Sequence, residues 1–490
     1  MSAHIHDLRY HNSVSTYCVE NFGCRATQAD GAALASQFEA RGLTSAPAGH
    51  ADIVLLNTCT VTNSADQDAR AAIRRVKRQN PLAKIIVTGC YAQRAPQEIA
   101  ALPGVTAVIG NSHKHQLVEL VLEEEARAHT RFVPLSTLTE NREGRTESSI
   151  FVSDIFAHTE LLAAPVFEGI GEFTENARTR PNLKVQDGCD NRCSFCVIPS
   201  VRGQSRSLPQ EQAIREMTAL VAAGYREVVI SGINLGRWGR DLAVSSQPSV
   251  LGEFGKADAA SRTVNFESLI RAILAETQIE KLRISSVEPM DWSNDLIALV
   301  ASSPRIAKHA HAPLQSGSDA VLRRMHRKYR PWHYREKIEK IRAAMPTAAI
   351  GADVMVGFPG ETEAEFESTR RLIDELPFTY LHVFTYSARP GTPAAAMPNQ
   401  VPVHVARERN RILRDLAASK KQAFMQSFLG ARVDAITLST VQDDAGGEFT
   451  EALTDNYQKL YLRGRHEANR WITTNIKAVE DGAFVGDCVL

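Results

Sequence analysis

The chain has no surplus of charge of either sign: 56 Lys plus Arg stand against 56 Asp plus Glu in 490 residues. That excludes a polycation coating nucleic acid through bulk charge, while leaving room for local basic faces. Nor is there an apolar run near the roughly 18 residues of a membrane span, so no membrane association is expected. The first residues, Met1-Ser2-Ala3-His4-Ile5-His6-Asp7, lack the apolar stretch of a secretory leader. These absences lead to the expectation of a cytoplasmic protein. Cysteine is too sparse for a disulfide scaffold, with eight in the whole chain, and in a reducing compartment clustered cysteines are metal ligands or catalysts before they are disulfides.

What is present is an alternation of short apolar runs with helical patterns. Val14–Tyr17, Ile53–Leu56 and Lys84–Val87 read as strands, with helices from about Gln28 and over Ala69–Gln79. Strands alternating with helices predict a parallel α/β domain over 12–128. Residues 129–175 hold no steady period and read as an interdomain connection. The alternation resumes with candidate strands at Leu183–Val185, Glu227–Ile230, Lys281–Ile284, Lys308–Ala312, Ile350–Val356 and Tyr380–Phe384. Six strands suit a partial (β/α)6 barrel over 176–410. Ser245–Arg262 looks like a surface insertion, about 404–428 like a charged helical connector, and 425–490 like a small antiparallel β module. The fold class is therefore α/β with a terminal all-β appendage.

The densest chemistry lies in Gly188-Cys189-Asp190-Asn191-Arg192-Cys193-Ser194-Phe195-Cys196, directly after a predicted strand. Three thiolates so close let one loop bind three irons of a [4Fe–4S] cubane and leave the fourth open. An open iron can chelate the amino and carboxylate groups of S-adenosylmethionine. A structural zinc would instead want four closed ligands, and no fourth Cys or His is near in sequence. A second set, Cys24, Cys59 and Cys90, is scattered in sequence, but each residue follows a predicted strand of the first domain. Parallel strands put their carboxyl ends on one edge, so three loops can bring these thiols together around a second cluster. Three unrelated core cysteines are the alternative. Cys18 and Cys488 read as ordinary small core residues.

The CxxxCxxC loop and the strand-end cysteines together resemble the methylthiotransferases of the radical S-adenosylmethionine superfamily. The resemblance covers all but 129–175 and the 245–262 insertion. It implies an N-terminal methylthiotransferase domain, a radical barrel and a C-terminal TRAM domain, the last matched by Leu453-Thr454-Asp455-Asn456-Tyr457. It implies two [4Fe–4S] clusters, on Cys189, Cys193 and Cys196 and on Cys24, Cys59 and Cys90, with S-adenosylmethionine as cofactor. Gly232, Glu288, Gln315, Ser316 and Asp353 become candidate cofactor contacts, since polar groups at barrel strand ends line active sites. Asn57-Thr58-Cys59-Thr60-Val61-Thr62, Gly236–Leu242 and Tyr380–Phe384 resemble the branch acting on threonylcarbamoyladenosine, at the adenosine beside the tRNA anticodon. Isopentenyladenosine tRNA and a ribosomal-protein aspartate are the substrates of the other branches. The chain departs from the family pattern at Thr27, Ser200 and Thr385. An electron donor such as flavodoxin or ferredoxin is implied. Arg323–Arg335, dense in cations and aromatics, and the basic residues of Arg70–Arg78 and of the terminal module are candidate RNA-facing surfaces.

Overall fold

The computed structural model describes residues 16–130, 148–157, 179–244, 264–442 and 447–488. The predicted insertion and most of the predicted connection lie outside these. The chain forms two compact units, one running essentially to Asp154 and the other from Ile155 onward.

The first unit is built on six strands: β1 (Thr16–Asn21), β2 (Thr44–Ser45), β3 (Ile53–Thr58), β4 (Lys84–Gly89), β5 (Val105–Gly110) and β6 (Ser149–Phe151). They lie in the order β2-β1-β3-β4-β5-β6, and every pairing is parallel. The run Ile53-Val54-Leu55-Leu56 is apolar without alternation because helices cover both faces. Val54 and Leu56 pack with Ala69, Ile73 and Val76 on one side; Ile53 and Leu55 pack with Leu34 and Phe38 on the other. Pairing of β6 with β5 makes residues 149–151 part of this sheet. The sequence reading had placed them in a connection, because three residues are too few to show a period.

The second unit opens with β7 (Asn182–Asp187), β8 (Arg206–Ser207), β9 (Glu227–Gly232), β10 (Lys281–Ile284), β11 (His309–His311), β12 (Ala349–Val356) and β13 (Tyr380–Thr385). The parallel series β7-β9-β10 and β11-β12-β13 are linked by parallel bridges Leu282↔Ile306 and Ser286↔His311. The result is the partial six-stranded barrel expected. Alternate residues point outward into the helical layer: Ile350, Ala352, Val354 and Val356 are fully buried there with Val228, Ile230, Leu282 and Ile284. The inward positions include polar residues, among them Glu227, Arg283, His309, His311 and Asp353.

A helix over Val403–Gln426 leads to β14 (Arg432–Gln442), β15 (Glu448–Thr454), β16 (Lys459–Arg463), β17 (Trp471–Glu480) and β18 (Ala483–Cys488), which close as β14-β15-β16-β18-β17. One pairing, β16 with β18, is parallel and the others are antiparallel. Arg283 fastens this small barrel to the larger one. Its Nε donates to Glu227 Oε1 at 2.6 Å, and its Nη1 donates to the Asp455 carbonyl at 3.1 Å. No helix among the described residues is long and apolar enough to cross a membrane.

Removing the carboxylate alone strands a buried guanidinium. Glu227→Ala is therefore expected to cost about 3–5 kcal/mol of stability, read as a lowered Tm in thermal denaturation. An unchanged Tm would show that the backbone carbonyls suffice for Arg283.

Candidate functional site

In the first unit the strand order reverses direction between β1 and β3, the crevice at which flavodoxin-like sheets bind ligands outside the strand carboxyl ends. Cys24 and Cys59 follow the strands on the two sides of that crevice, and Cys90 follows the next strand as the first residue of a short helix. Register makes the neighbourhood close: Asn21 pairs with Asn57, and Thr58 with Gly89. Two glycines allow close approach here. A Cβ on Gly23 (φ +115°) would fall 2.5 Å from Cys59 Cβ, and one on Gly89 (φ +98°) 2.3 Å from the Thr58 carbonyl oxygen. Asn111 Nδ2 donates to Cys90 Sγ at 3.6 Å, and Cys24 Sγ contacts Thr27 Oγ1 at 3.5 Å. Under the strand ends the Lys114 ammonium is buried against Asp30 at 3.0 Å, with Asn57 Oδ1 at 3.4 Å.

In the second unit β7 ends in a clamp that aims the cysteine loop. Asp187 takes Arg202 Nη1 on both carboxylate oxygens (2.9 and 3.0 Å), Lys184 Nζ at 3.0 Å and the Gly188 N–H at 2.8 Å. Burial by itself would raise this carboxyl, but the Arg202 and Lys184 cations hold it well below the usual carboxylate range. Gln186 Nε2 donates to the carbonyls of Asp187 and Gly188, while its Oε1 accepts the Asn234 N–H at 2.6 Å. Between the second and third cysteines, Ser194 is tied to the Met325 carbonyl through its N–H (3.1 Å) and to the Arg324 carbonyl through its hydroxyl (2.8 Å).

Donors point at the sulfurs themselves. Cys189 Sγ receives the Asn191 N–H at 3.4 Å and Asn234 Nδ2 at 3.5 Å, and Cys193 Sγ receives Arg327 Nη1 at 3.3 Å. Burial pushes the Cys189 thiol up and the Cys196 thiol up to about 12. Thiols this reluctant to ionise become thiolates when a metal takes the proton's place. The donor set of three sulfurs, with hydrogen bonds already directed at two of them, fits a cluster bound through one loop.

Residues 16–110 match the uncharacterized protein family UPF0004, and residues 183–373 match the radical SAM superfamily. The threonylcarbamoyladenosine tRNA methylthiotransferase MtaB of Bacillus subtilis is 34% identical over 93% of this chain and 92% of its own. The chain belongs to the radical S-adenosylmethionine methylthiotransferase family. Another relative of the same name, from Aquifex aeolicus, is 33% identical over 92% of this chain and 98% of its own. A tRNA-2-methylthio-N(6)-dimethylallyladenosine synthase from Novosphingobium aromaticivorans is 34% identical over 86% of this chain and 87% of its own. Among solved structures, the radical S-adenosylmethionine methyltransferase TsrM from Kitasatospora setae shares the fold. Its TM-score is 0.54 at 14% identity, over 78% of this chain and 75% of its own. As a radical SAM methylthiotransferase the protein is an enzyme that transfers a sulfur-containing group, and its cofactors are S-adenosylmethionine and two [4Fe–4S] clusters.

The candidate cofactor contacts of this methylthiotransferase divide. Gly232 lies against the loop-bracing Gln186, where a Cβ would approach its side chain to 3.0 Å. Glu288 ion-pairs with the same Arg327 that donates to Cys193. Gln315 sits at φ +63° and bridges to β12 through its backbone, leaving its side chain for other partners. Ser316 is spent on its own turn: its hydroxyl contacts Thr369 Oγ1 at 3.1 Å and accepts the Ser318 N–H at 3.2 Å. Asp353 lies on the body of β12 facing His311, its Oδ1 3.4 Å from the imidazole Nε2.

Sequence reasoning missed Asn234 and Arg327 as neighbours of the cysteine sulfurs. Asn234 follows the end of β9, so the strand-end rule that found the cysteines could have found it. Arg327 was instead read as part of an RNA-facing run. Within Arg323–Arg335 the structure buries some of these groups and pairs others with carboxylates. Tyr329 and Tyr334 are buried with Arg327, Arg324 pairs with Glu365, Arg330 with Asp319 and Arg335 with Glu375. Arg323, His326, Lys328, Trp332 and His333 remain exposed. Arg70 and Arg75 are likewise paired, with Glu98 and Glu20, and in the terminal module Lys459 pairs with Glu451 and Arg470 with Glu467.

The loop geometry makes a sharp comparison between two glycines. A Cβ at Gly188 (φ +69°) would land 1.8 Å from the Gln204 carbonyl oxygen, whereas Gly391 (φ +83°) has nothing within 4 Å. Gly188→Ala is expected to lower both Tm and bound iron. Gly391→Ala is expected to cost only backbone strain, about 1 kcal/mol, with iron content unchanged. Equal behaviour of the two variants would refute the close-approach argument.

Proposed function

We propose that this protein converts N6-threonylcarbamoyladenosine, at the position 3′ of the tRNA anticodon, into its 2-methylthio derivative. The observation that carries the reading is the presence, in one chain, of two cysteine triads at the carboxyl ends of two separate parallel strand systems. One triad suits cleavage of S-adenosylmethionine and the other suits sulfur delivery. The choice of substrate is supported by the Bacillus and Aquifex relatives and by Asn57-Thr58-Cys59-Thr60-Val61-Thr62 around the middle cysteine. A second reading, the dimethylallyladenosine substrate, is favoured by the Novosphingobium relative at similar identity.

Cys189, Cys193 and Cys196 hold the cluster that binds S-adenosylmethionine, and Cys24, Cys59 and Cys90 hold the second. When bound, these groups supply a carbon radical for hydrogen abstraction at adenine C2, sulfur at an open iron, and a methyl group. The residues around them do the rest. Asp187 and Gln186 keep the first loop in its curve. Asn234 and Arg327 direct N–H groups at its sulfurs, which stabilises the added charge when an electron enters. Glu288 balances the buried Arg327. The target adenosine must leave its stack to reach the interior of a barrel. The compartment is cytoplasmic, and a flavodoxin or ferredoxin is the electron donor.

Two measurements test this. The Cys189→Ala/Cys193→Ala/Cys196→Ala triple variant is expected to keep about half the iron of the parent and to form no 5′-deoxyadenosine under anaerobic reduction with S-adenosylmethionine. Formation of that product would refute the ligand assignment. Mass spectrometry of tRNA nucleosides from a strain lacking the gene is expected to show loss of 2-methylthio-N6-threonylcarbamoyladenosine and accumulation of its precursor. Loss of the methylthiolated dimethylallyl nucleoside instead would transfer the assignment to the second reading.

A further inference from the structure

The inner face of β11, β12 and β13 carries a second constellation that includes no cysteine, on the strand bodies rather than at the loop ends. Parallel pairing sets Asp353 opposite His382, and His311 opposite Gly351, two residues before Asp353 on the same face. One ligand atom from each of His311, Asp353 and His382 lies within 4.8 Å of the others, the one such group of His, Cys, Asp or Glu among the described residues. The rings of His311 and His382 are 5.7 Å apart. Gly351 makes room for the neighbouring Tyr380 ring, with which any side chain there would collide.

His311 is the telling member. Its side chain is 7% exposed. Its Nδ1 is engaged by the Ser286 hydroxyl at 2.7 Å, which fixes the ring, and its Nε2 is buried without a hydrogen-bond partner. A buried ring nitrogen oriented from behind by a hydroxyl, with a carboxylate and a second imidazole close by, is the arrangement of a metal-ligating histidine with its outer support. A buried polar atom without a partner is destabilising, and a bound cation removes that cost.

We propose that His311, Asp353 and His382 bind a divalent transition-metal ion inside the barrel, separate from both iron–sulfur clusters. Two imidazoles and one carboxylate are the donor set of open sites for zinc or iron(II). With ligand bonds of about 2.0–2.2 Å, the donor atoms of a tetrahedral site stand roughly 3.5 Å apart, so the three side chains close by about an ångström on binding. The carboxylate and the two neutral imidazoles leave the ion one net positive charge, and a fourth position takes water or an anionic oxygen. Asp353 then serves the ion rather than S-adenosylmethionine.

Zinc is the probe, since iron is confounded by the clusters. The anaerobic protein with both clusters in place, titrated with zinc chloride, is expected to take up one zinc per chain with its iron unchanged. X-ray absorption at the zinc edge is expected to show imidazole and oxygen ligands without sulfur. His382→Ala and Asp353→Asn are expected to weaken this uptake at least tenfold, and Ser286→Ala about tenfold through loss of ring orientation. His382 is exposed, so its variant tests the site without emptying the core. Iron content and Tm report whether each variant is folded. No uptake, equal uptake by parent and the folded His382→Ala variant, or sulfur in the zinc shell would each overturn the proposal. The assay reads metal alone, so its outcome is independent of which nucleoside the enzyme modifies.

Discussion

Parallel pairing of strands sends every carboxyl end to the same edge, and both halves of this chain are organised by that constraint. Because each β–α crossover returns the chain to the starting edge, loops that are 30 or more residues apart in sequence emerge side by side. Cys24, Cys59 and Cys90 follow the neighbouring strands β1, β3 and β4 in this way. The same constraint lets β7 deliver Cys189, Cys193 and Cys196 into the mouth of the barrel while β9 and the segment after β11 bring Asn234 and Arg327 to the sulfurs.

The polar lining follows from an open barrel. A closed eight-stranded barrel fills its interior with apolar side chains; six strands leave a trough whose inward positions face a ligand. Here those positions carry ionic and hydrogen-bonded groups held by each other: Arg283 by Glu227, His309 by Tyr380 at 2.6 Å, His311 by Ser286. The C-terminal barrel joins this scheme, since Tyr457 lies against His309 with ring centroids 4.7 Å apart and Arg283 reaches the Thr454 and Asp455 carbonyls. That β module is thus packed on the radical barrel through polar and ring contacts.

Much of the fold was legible because its period is strong. All six barrel strands and the three cysteine-bearing strands of the first domain stand at or within a few residues of the expected places. A run such as Ile53–Leu56 admits few alternatives once helices flank it. β6 escaped because its three residues pair only through the neighbouring strand. The parallel pairing of β16 with β18 escaped because local alternation records burial and not strand direction. In the basic run Arg323–Arg335 charge is visible in sequence, but the partners Glu288, Glu365 and Glu375 come from other elements and only the fold shows them.

The sequence by itself determined the chemistry of the cysteine loop, because three thiols within eight residues are neighbours in any fold, and it determined the strand-and-helix order that makes both sheets parallel. Only the tertiary structure decided which side chains stand behind the sulfurs. Only it showed that Arg327 belongs to the cluster loop and not to a surface, and that His311, Asp353 and His382 converge. Those relations join residues from 29 to 134 positions apart. Their distances are set by strand register and side-chain burial, quantities that no local pattern of residues contains.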